Sequence, residues 1–208
     1  MDRNAVAAVL AGGTNSRMGA DKATLDIDGE AFLDRIVRTL DERFDVVLVC
    51  GGARAPAGTV LVPDPEPGGG PLAGVAGACA AAEGRDVFVT AVDMPLLDLD
   101  VIDSIAAPLL SYTQARIARV SGRPQPLCGL YGGGLGPLVA DVLDSADRSM
   151  MAFLRRVPHL TLVDVPEGPL RNINTPEDYA SLSVLAWETG TSSREPRQNG
   201  WENLSSPQ

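Results

Sequence analysis

With 208 residues, 45% of them hydrophobic, the chain is long enough to bury a sizeable core and short enough to do so as one domain. A formal charge of -10 excludes a broad nucleic-acid surface, which must neutralise many phosphates and reads as basic overall, so any phosphate site is local. No apolar run reaches membrane-span length and no signal-peptide core follows Asp2 and Arg3, while Cys50, Cys79 and Cys128, odd in number and far apart, fit the buried reduced thiols of a cytoplasmic protein.

Ala5 to Leu10 is an apolar run of strand length, followed by Ala11-Gly12-Gly13-Thr14-Asn15-Ser16-Arg17-Met18-Gly19-Ala20-Asp21-Lys22. Small residues there let main-chain N–H groups approach phosphate oxygens closely, and Arg17 and Lys22 add charge to a site shaped by backbone. Phe32, Ile36, Val37 and Leu40 recur on one face of a helix. Val46 to Val49 and Thr59 to Val62 read as further strands, the second halted by the prolines and glycines of residues 63–71. Leu72 to Glu83, rich in alanine, reads as a closely packed helix, and Asp86 to Val92 as a central strand that stops at Asp93-Met94-Pro95.

Leu99 to Leu110 is expected to be helical, with Asp98 or Asp100 near its start. Ala115 to Val120 and Leu127 to Tyr131 pair as antiparallel strands across Ser121-Gly122-Arg123-Pro124. Gly132-Gly133-Gly134 releases the chain into a helix near Pro137 to Ser145, Met150 to Arg156 makes another, and His159 to Val165 is a last strand. Thr175-Pro176-Glu177-Asp178 opens a helix, with Thr175 as N-cap and Asp178 in a capping-box position. Residues 187–208 read as a disordered polar tail, which leaves 1–186 as the single domain.

Strands alternating with helices imply a three-layer α/β/α sandwich on a mostly parallel mixed sheet, whose ligands gather beyond the carboxyl ends of the strands. Leu10-Ala11-Gly12-Gly13, Cys50-Gly51-Gly52, Pro63-Asp64 and Asp93-Met94-Pro95 each follow a strand, so a parallel sheet brings them to one rim. Two familiar phosphate loops are absent. Lys22 follows Asp21 and precedes Ala23, so there is no Walker Gly-Lys-Ser/Thr, and Gly12-Gly13 with Gly19 next does not make a dinucleotide Gly-x-Gly-x-x-Gly.

The glycine loop resembles the signature of nucleotidyltransferases, and Arg17-Met18-Gly19-Ala20-Asp21-Lys22 is similar to that of molybdenum cofactor guanylyltransferases. Other pieces agree in order: Pro63-Asp64, Gly70-Pro71-Leu72-Ala73-Gly74, Asp93-Met94-Pro95, Gln125-Pro126-Leu127, Arg148-Ser149-Met150 and Asn172-Ile173-Asn174-Thr175-Pro176-Glu177. The resemblance implies a Rossmann-like nucleotidyltransferase fold. It also implies a reaction in which the terminal phosphate of molybdopterin attacks the α-phosphorus of GTP, takes GMP and expels pyrophosphate. Mg²⁺ on Asp93 is the implied cofactor, with Lys22 and Arg17 as the phosphate-neutralising partners. Leu10, Ala11, Gly12, Gly13, Cys50 and Asp64 would then line the nucleotide site, and Gly74, Arg148, Asn172 and Asn174 the pterin acceptor. A molybdoenzyme or delivery chaperone is left open as recipient of the product.

Plainer structural roles compete at several of these positions. Asp93 and Asp64 could each serve a turn, Gly74 could be helix packing, Arg17 could sit on an exposed loop, and Asn172 and Asn174 could shape the turn before the capped helix. Asp21 reads as a partner that orients Lys22. Cys50 stands where the family pattern leads one to expect an asparagine, which bears on guanine selection more than on transfer chemistry. Alternatives of the same fold are use of CTP, or of a sugar phosphate or other phosphorylated acceptor; an alternative of another class is a noncatalytic nucleotide-binding paralogue. His159, the sole histidine, lies far from every motif and reads as structural.

Overall fold

The computed structural model describes residues 5–12, 22–66, 68–110 and 113–188, the side chains of 22 and 183–188 excepted. Of the tail expected over 187–208, Trp187 and Glu188 are in a helix, and the rest, with Gly13, Arg17 and Asp21 in the opening loop, lies outside the described residues. In chain order the elements are β1 (Val6–Leu10), β2 (Asp26–Ile27), β3 (Glu30–Ala31), α1 (Phe32–Asp41), β4 (Val47–Cys50), β5 (Val60–Val62), α2 (Gly70–Ala81), β6 (Val87–Ala91) and α3 (Leu99–Ile105). Then come β7 (Ala115–Val120), β8 (Arg123–Tyr131), α4 (Gly136–Leu143), α5 (Met150–Arg156), β9 (Leu160–Asp164) and α6 (Pro176–Glu188).

The main sheet has seven strands in the order β5-β4-β1-β6-β8-β7-β9. β5, β4, β1 and β6 are mutually parallel, β8 alone runs the other way, and β9 is parallel to β7. This is the mostly parallel mixed sheet expected from the pattern. The central strands are apolar throughout because both faces are covered. Ala7, Val9, Val47, Val49 and Phe88 pack toward α1 and α3, whereas Val6, Ala8, Leu10, Leu48, Val87 and Val89 pack toward α2, α4 and α5. Period-two alternation thus splits the strand residues into two cores on opposite faces of one sheet.

Helix α1 shows why spacing was legible: Phe32, Leu33, Ile36, Val37 and Leu40 are all buried on one face. Helix α2 has no such stripe and relies on smallness instead. Its Gly74 lies where a Cβ would stand 3.1 Å from Leu10, and its Gly77 where one would stand 3.3 Å from Pro65, so the helix settles closely onto the ends of β1 and β5.

Two boundaries differ from the sequence reading by four residues or more. Helix α3 ends at Ile105 rather than Leu110, because Pro108 disfavours helical continuation and Arg116 from β7 donates to the carbonyls of Ile105, Ala107 and Pro108. β8 starts at Arg123, four residues before the expected Leu127, so the hairpin turn shrinks to Ser121-Gly122, both at positive φ, 48° and 77°. Pro126 falls in the stretch of β8 that the β7–β8 register slip between Ile117 and Ala118 leaves out of the ladder, whereas Pro124 pairs with Arg119 in the part of β8 that extends beyond its pairing with β6. A short hairpin of β2 and β3, turning at Asp28-Gly29, was not anticipated.

Gly133 lies where a Cβ would come within 1.9 Å of the Gly84 carbonyl oxygen, and its N–H donates to Asp86 at 2.9 Å. The glycine triplet is therefore the point at which the exit from β8 crosses the entry to β6. No helix among the described residues is long and apolar enough to cross a membrane.

Thr90, on β6, is fully buried, and its hydroxyl has no hydrogen-bond partner. An unpaired buried hydroxyl opposes folding, and valine has nearly the same shape without it. Thr90→Val is therefore expected to raise Tm by about 2–4 °C, the equivalent of ~1 kcal/mol for a chain of this size, in a calorimetric melt. A lower Tm would show that the hydroxyl is satisfied in the folded protein.

Candidate active site

At the carboxyl rim the strand ends are tied to one another. The first residue past β1, Ala11, donates its N–H to the Cys50 carbonyl at 2.9 Å; Gly51, the first past β4, donates to Val62 at 3.0 Å; Val92, the first past β6, donates to Leu10 at 3.1 Å. Each parallel ladder thus continues one residue beyond its strands, which fixes where the four loops begin. Gly12 also donates to the Cys50 carbonyl, at 3.2 Å. The Ala11 and Gly12 amides are therefore both engaged at the end of the sheet. Amides offered to an anion would have to come from farther along the loop.

Gly12 and Gly51 meet across this rim. A Cβ on Gly51 would lie 3.0 Å from Gly12 Cα and 3.6 Å from Asp64 Cβ, and Gly51 has φ +72°, so backbone contact and backbone conformation both call for glycine. Asp64 is half-buried and its Oδ1 accepts from Glu66 N–H at 3.0 Å, the turn role set out above as the plainer alternative. Leu10 is 7% exposed and packs against Gly74, so Gly74 has the helix-packing contact that competed with a substrate role.

Cys50 is 2% exposed, and burial, with Cys79 and Asp64 as lesser causes, pushes its thiol up to about 12. Its side chain is a neutral component of the α2-side core, and what it presents at the rim is its carbonyl. Burial likewise pushes Cys79, which is half-buried, up to about 11 and Cys128, which is buried, up to about 12, and all three thiols are free.

Asp93 is half-buried at the turn after β6, and its carbonyl accepts from Ile173 N–H at 2.8 Å. That bond brings the 172–174 segment beside the turn. Ile173 is fully buried and anchors the segment, with exposed Asn172 and half-buried Asn174 on either side. Behind it the expected cap is in place: Asp178 Oδ2 accepts from Asn174 and Thr175 N–H at 3.0 and 2.9 Å, and Thr175 Oγ1 accepts from Asp178 N–H at 3.1 Å.

Arg148 pairs with Glu66, whose N–H donates to Asp64, so it stands on the Asp64 side of the rim and is not brought together with the 172–174 segment by any bond named; this partner holds the Glu66 carboxyl below its ordinary range. The Arg148 Nε is buried without a hydrogen-bond partner. Lys22 begins a short 3-10 turn, Lys22–Thr24, with its side chain outside the described residues, as are Gly13 and Arg17. His159 is exposed with φ +54° before β9, at the far edge of the sheet.

Two cations missed by the sequence reading touch these loops. Arg54, past β4, makes a two-pronged pair with Asp34 of α1 at 3.0 and 2.7 Å and approaches the Ala23 carbonyl at 3.5 Å; Arg35 donates from Nε to the Pro95 carbonyl at 3.1 Å. Their signal was weak because helix residues 34 and 35 read only as a polar face.

Residues 7–161 match the MobA-like NTP transferase domain, most of the chain and all four rim loops. The chain belongs to the MobA-like NTP transferase family. This NTP transferase is therefore an enzyme of the nucleotidyltransferase class. It is 34% identical over 175 residues to a protein of Mycobacterium tuberculosis H37Rv called a probable molybdenum cofactor guanylyltransferase, covering 80% of this chain and 87% of the relative. A protein of Pelotomaculum thermopropionicum with the same description is 31% identical over 198 residues, or 90% of this chain and 96% of the relative. Among solved structures, molybdopterin-guanine dinucleotide biosynthesis protein A of Archaeoglobus fulgidus superposes with a TM-score of 0.73 at 19% identity, over 88% of this chain and 99% of that one, a likeness of fold.

The Asp178 carboxyl is held below its ordinary range, chiefly by the Asn174 N–H and then by Thr175. A depressed carboxyl contributes stability above its unfolded pKa of about 3.9, and that contribution is lost as pH falls through the lower folded value. Asp178→Asn is expected to lower Tm at pH 7 by about 2–4 °C, the scale of one lost helix cap, and the gap should begin to narrow as pH falls below the unfolded value of about 3.9 and close only below the depressed folded value. A gap of constant size from pH 7 to pH 3 would contradict this assignment.

Proposed function

We propose that this NTP transferase is a molybdenum cofactor guanylyltransferase: it moves GMP from GTP to the terminal phosphate of molybdopterin and releases pyrophosphate. The observation that carries the reading is the tied rim, where Gly12, Gly51 and Asp64 meet on one side while Asp93 and the 172–174 segment meet on the other. Two substrates could face each other across such a rim, and the family relatives are described by this activity.

The chemistry needs alignment more than proton transfer. An acceptor phosphate oxygen is already anionic at neutral pH, so it can attack the α-phosphorus directly; the new P–O bond forms as the α–β bond breaks and pyrophosphate leaves with the electron pair. This suits a site whose one histidine lies elsewhere. Lys22, with Arg17, would neutralise the triphosphate, and Asp64 with the backbone of residues 10–13 and 51 would hold the nucleoside. The buried Cys50 thiol leaves base selection to its main-chain neighbours. Arg148, Asn172 and Asn174 would hold the acceptor, with Gly74 setting how closely α2 approaches.

Among the described residues no group of three or more His, Cys, Asp or Glu side chains could hold a metal. A single half-buried carboxylate at Asp93 fits Mg²⁺, which takes one or two protein carboxylates and fills its other positions with phosphate oxygens and water. When bound, Mg²⁺ would supply charge for the developing negative oxygens. Asp93 is held by a backbone bond to Ile173, so its position does not depend on the ion.

Purified protein incubated with molybdopterin, GTP and magnesium is expected to yield the guanine dinucleotide cofactor by mass, and CTP is expected to be a poor donor. Turnover with CTP and not GTP would reverse the base assignment. Asp93→Ala is expected to lower kcat by at least ~10³-fold, on the scale of removing a main electrostatic stabiliser, with Tm nearly unchanged. Comparable rates for parent and variant would remove Asp93 from the metal role.

A further inference from the structure

Consecutive residues on a helix point about 100° apart, so one turn can reach two different neighbours. Asp34 and Arg35, near the start of α1, do this at the rim. Asp34 accepts two parallel bonds from Arg54, at 3.0 and 2.7 Å, in the loop that leaves β4. Through Arg54 Nη2 the same pair approaches the Ala23 carbonyl at 3.5 Å, one residue past Lys22. Arg35 turns the other way, and its Nε donates at 3.1 Å to the carbonyl of Pro95, two residues past Asp93.

We propose that Asp34, Arg35 and Arg54 are positioning residues, and that α1 is a brace fixing the Lys22 turn and the Asp93 turn relative to each other. The inference rests on the guanylyltransferase reading for the roles of Lys22 and Asp93, but its geometry is independent of it. α1 is itself well anchored: five of its side chains are in the core, and Phe32 N–H donates to the Leu25 carbonyl at 2.7 Å. Arg35 is also steadied by Glu30, whose carboxylate lies 3.7 Å from its Nη1 and pairs with Arg38 at 2.8 Å. A rigid element therefore reaches the segments that flank both candidate phosphate-handling residues.

Transfer in line between two bound phosphates makes this spacing matter, since a misplacement of about 1 Å can cost on the order of 10²-fold in rate. Apart from the contact of Arg35 with Glu30, the three side chains touch main chain or one another in the bonds named, so their effect would pass through the loops they hold. The Asp34–Arg54 pair is partly exposed, with side chains 41% and 40% accessible. Such a pair contributes little to global stability, which separates a positioning role from a merely structural one.

The test uses the full chain in two arms. In the first, GTP binding without acceptor and Mn²⁺ binding with GTP present are titrated; in the second, kcat and KM are measured with magnesium. Arg54→Ala is expected to weaken GTP binding about tenfold, and Arg54→Lys not to restore it, because an ammonium cannot make the two-pronged pair. Arg35→Met is expected to weaken Mn²⁺ binding and to lower kcat about tenfold with the GTP KM within about twofold, and Arg35→Lys, which can still donate one bond, to recover most of both. Tm should stay within about 3 °C for all four. Variants that match the parent in GTP binding, Mn²⁺ binding and kcat, whatever their Tm, would overturn the brace while leaving the guanylyltransferase reading intact. A parent that binds neither GTP nor Mn²⁺ would overturn that reading, and the inference with it.

Discussion

Everything at the rim depends on one feature of the sheet: the parallel ladders of β5, β4, β1 and β6 continue for one residue past their strands. Main-chain bonds from Ala11, Gly51 and Val92 to the neighbouring strand ends tie the loops before any side chain is considered. Because all four strands point the same way, their ends face the same edge of the molecule. Had β8 been inserted among them, its reversed direction would have carried one loop to the opposite edge. It pairs with β6 on the other side and leaves the parallel set intact.

Smallness does the rest of the local work. Gly12 and Gly51 allow two loops to touch through backbone, and Gly74 and Gly77 let α2 lie close to the strand ends. The result is an edge at which main chain meets main chain, with Asp64 on one side and Asp93 on the other. That composition suits the proposed transfer, whose nucleophile would already be charged. Alignment and neutralisation matter more there than general-base chemistry, and a family of NTP transferases can change substrates by altering loops while the tied edge persists.

The sheet and most helices were legible because their signals are local. β1, β4 and β6 are uninterrupted apolar runs, α1 has a clean apolar face, and Thr175 with Asp178 announces a cap that forms as written. The misplaced boundaries arise from long-range partners. Arg116 closes the end of α3 from a strand eleven residues beyond Ile105, and a register slip lets β8 absorb Pro126. The Asp28-Gly29 hairpin carried a readable turn signal in a segment too short to draw notice. Around the site, the four loops were legible as strand ends, whereas Arg35 and Arg54 were hidden because their partners lie 60 and 20 residues away in sequence. Cys50 was legible as an unusual residue, but only burial shows that its thiol belongs to the core.

The central claim is that nucleotide and metal share this tied edge. A crystal structure of the chain with a nonhydrolysable GTP analogue and Mn²⁺, with the ion located by its anomalous signal, tests it most directly. The account predicts the ion on the Asp93 carboxylate and the analogue's phosphates, with the nucleoside over Gly12, Gly51 and Asp64. An ion and nucleotide seated at the opposite end of the strands, or on the β9 edge, would contradict it.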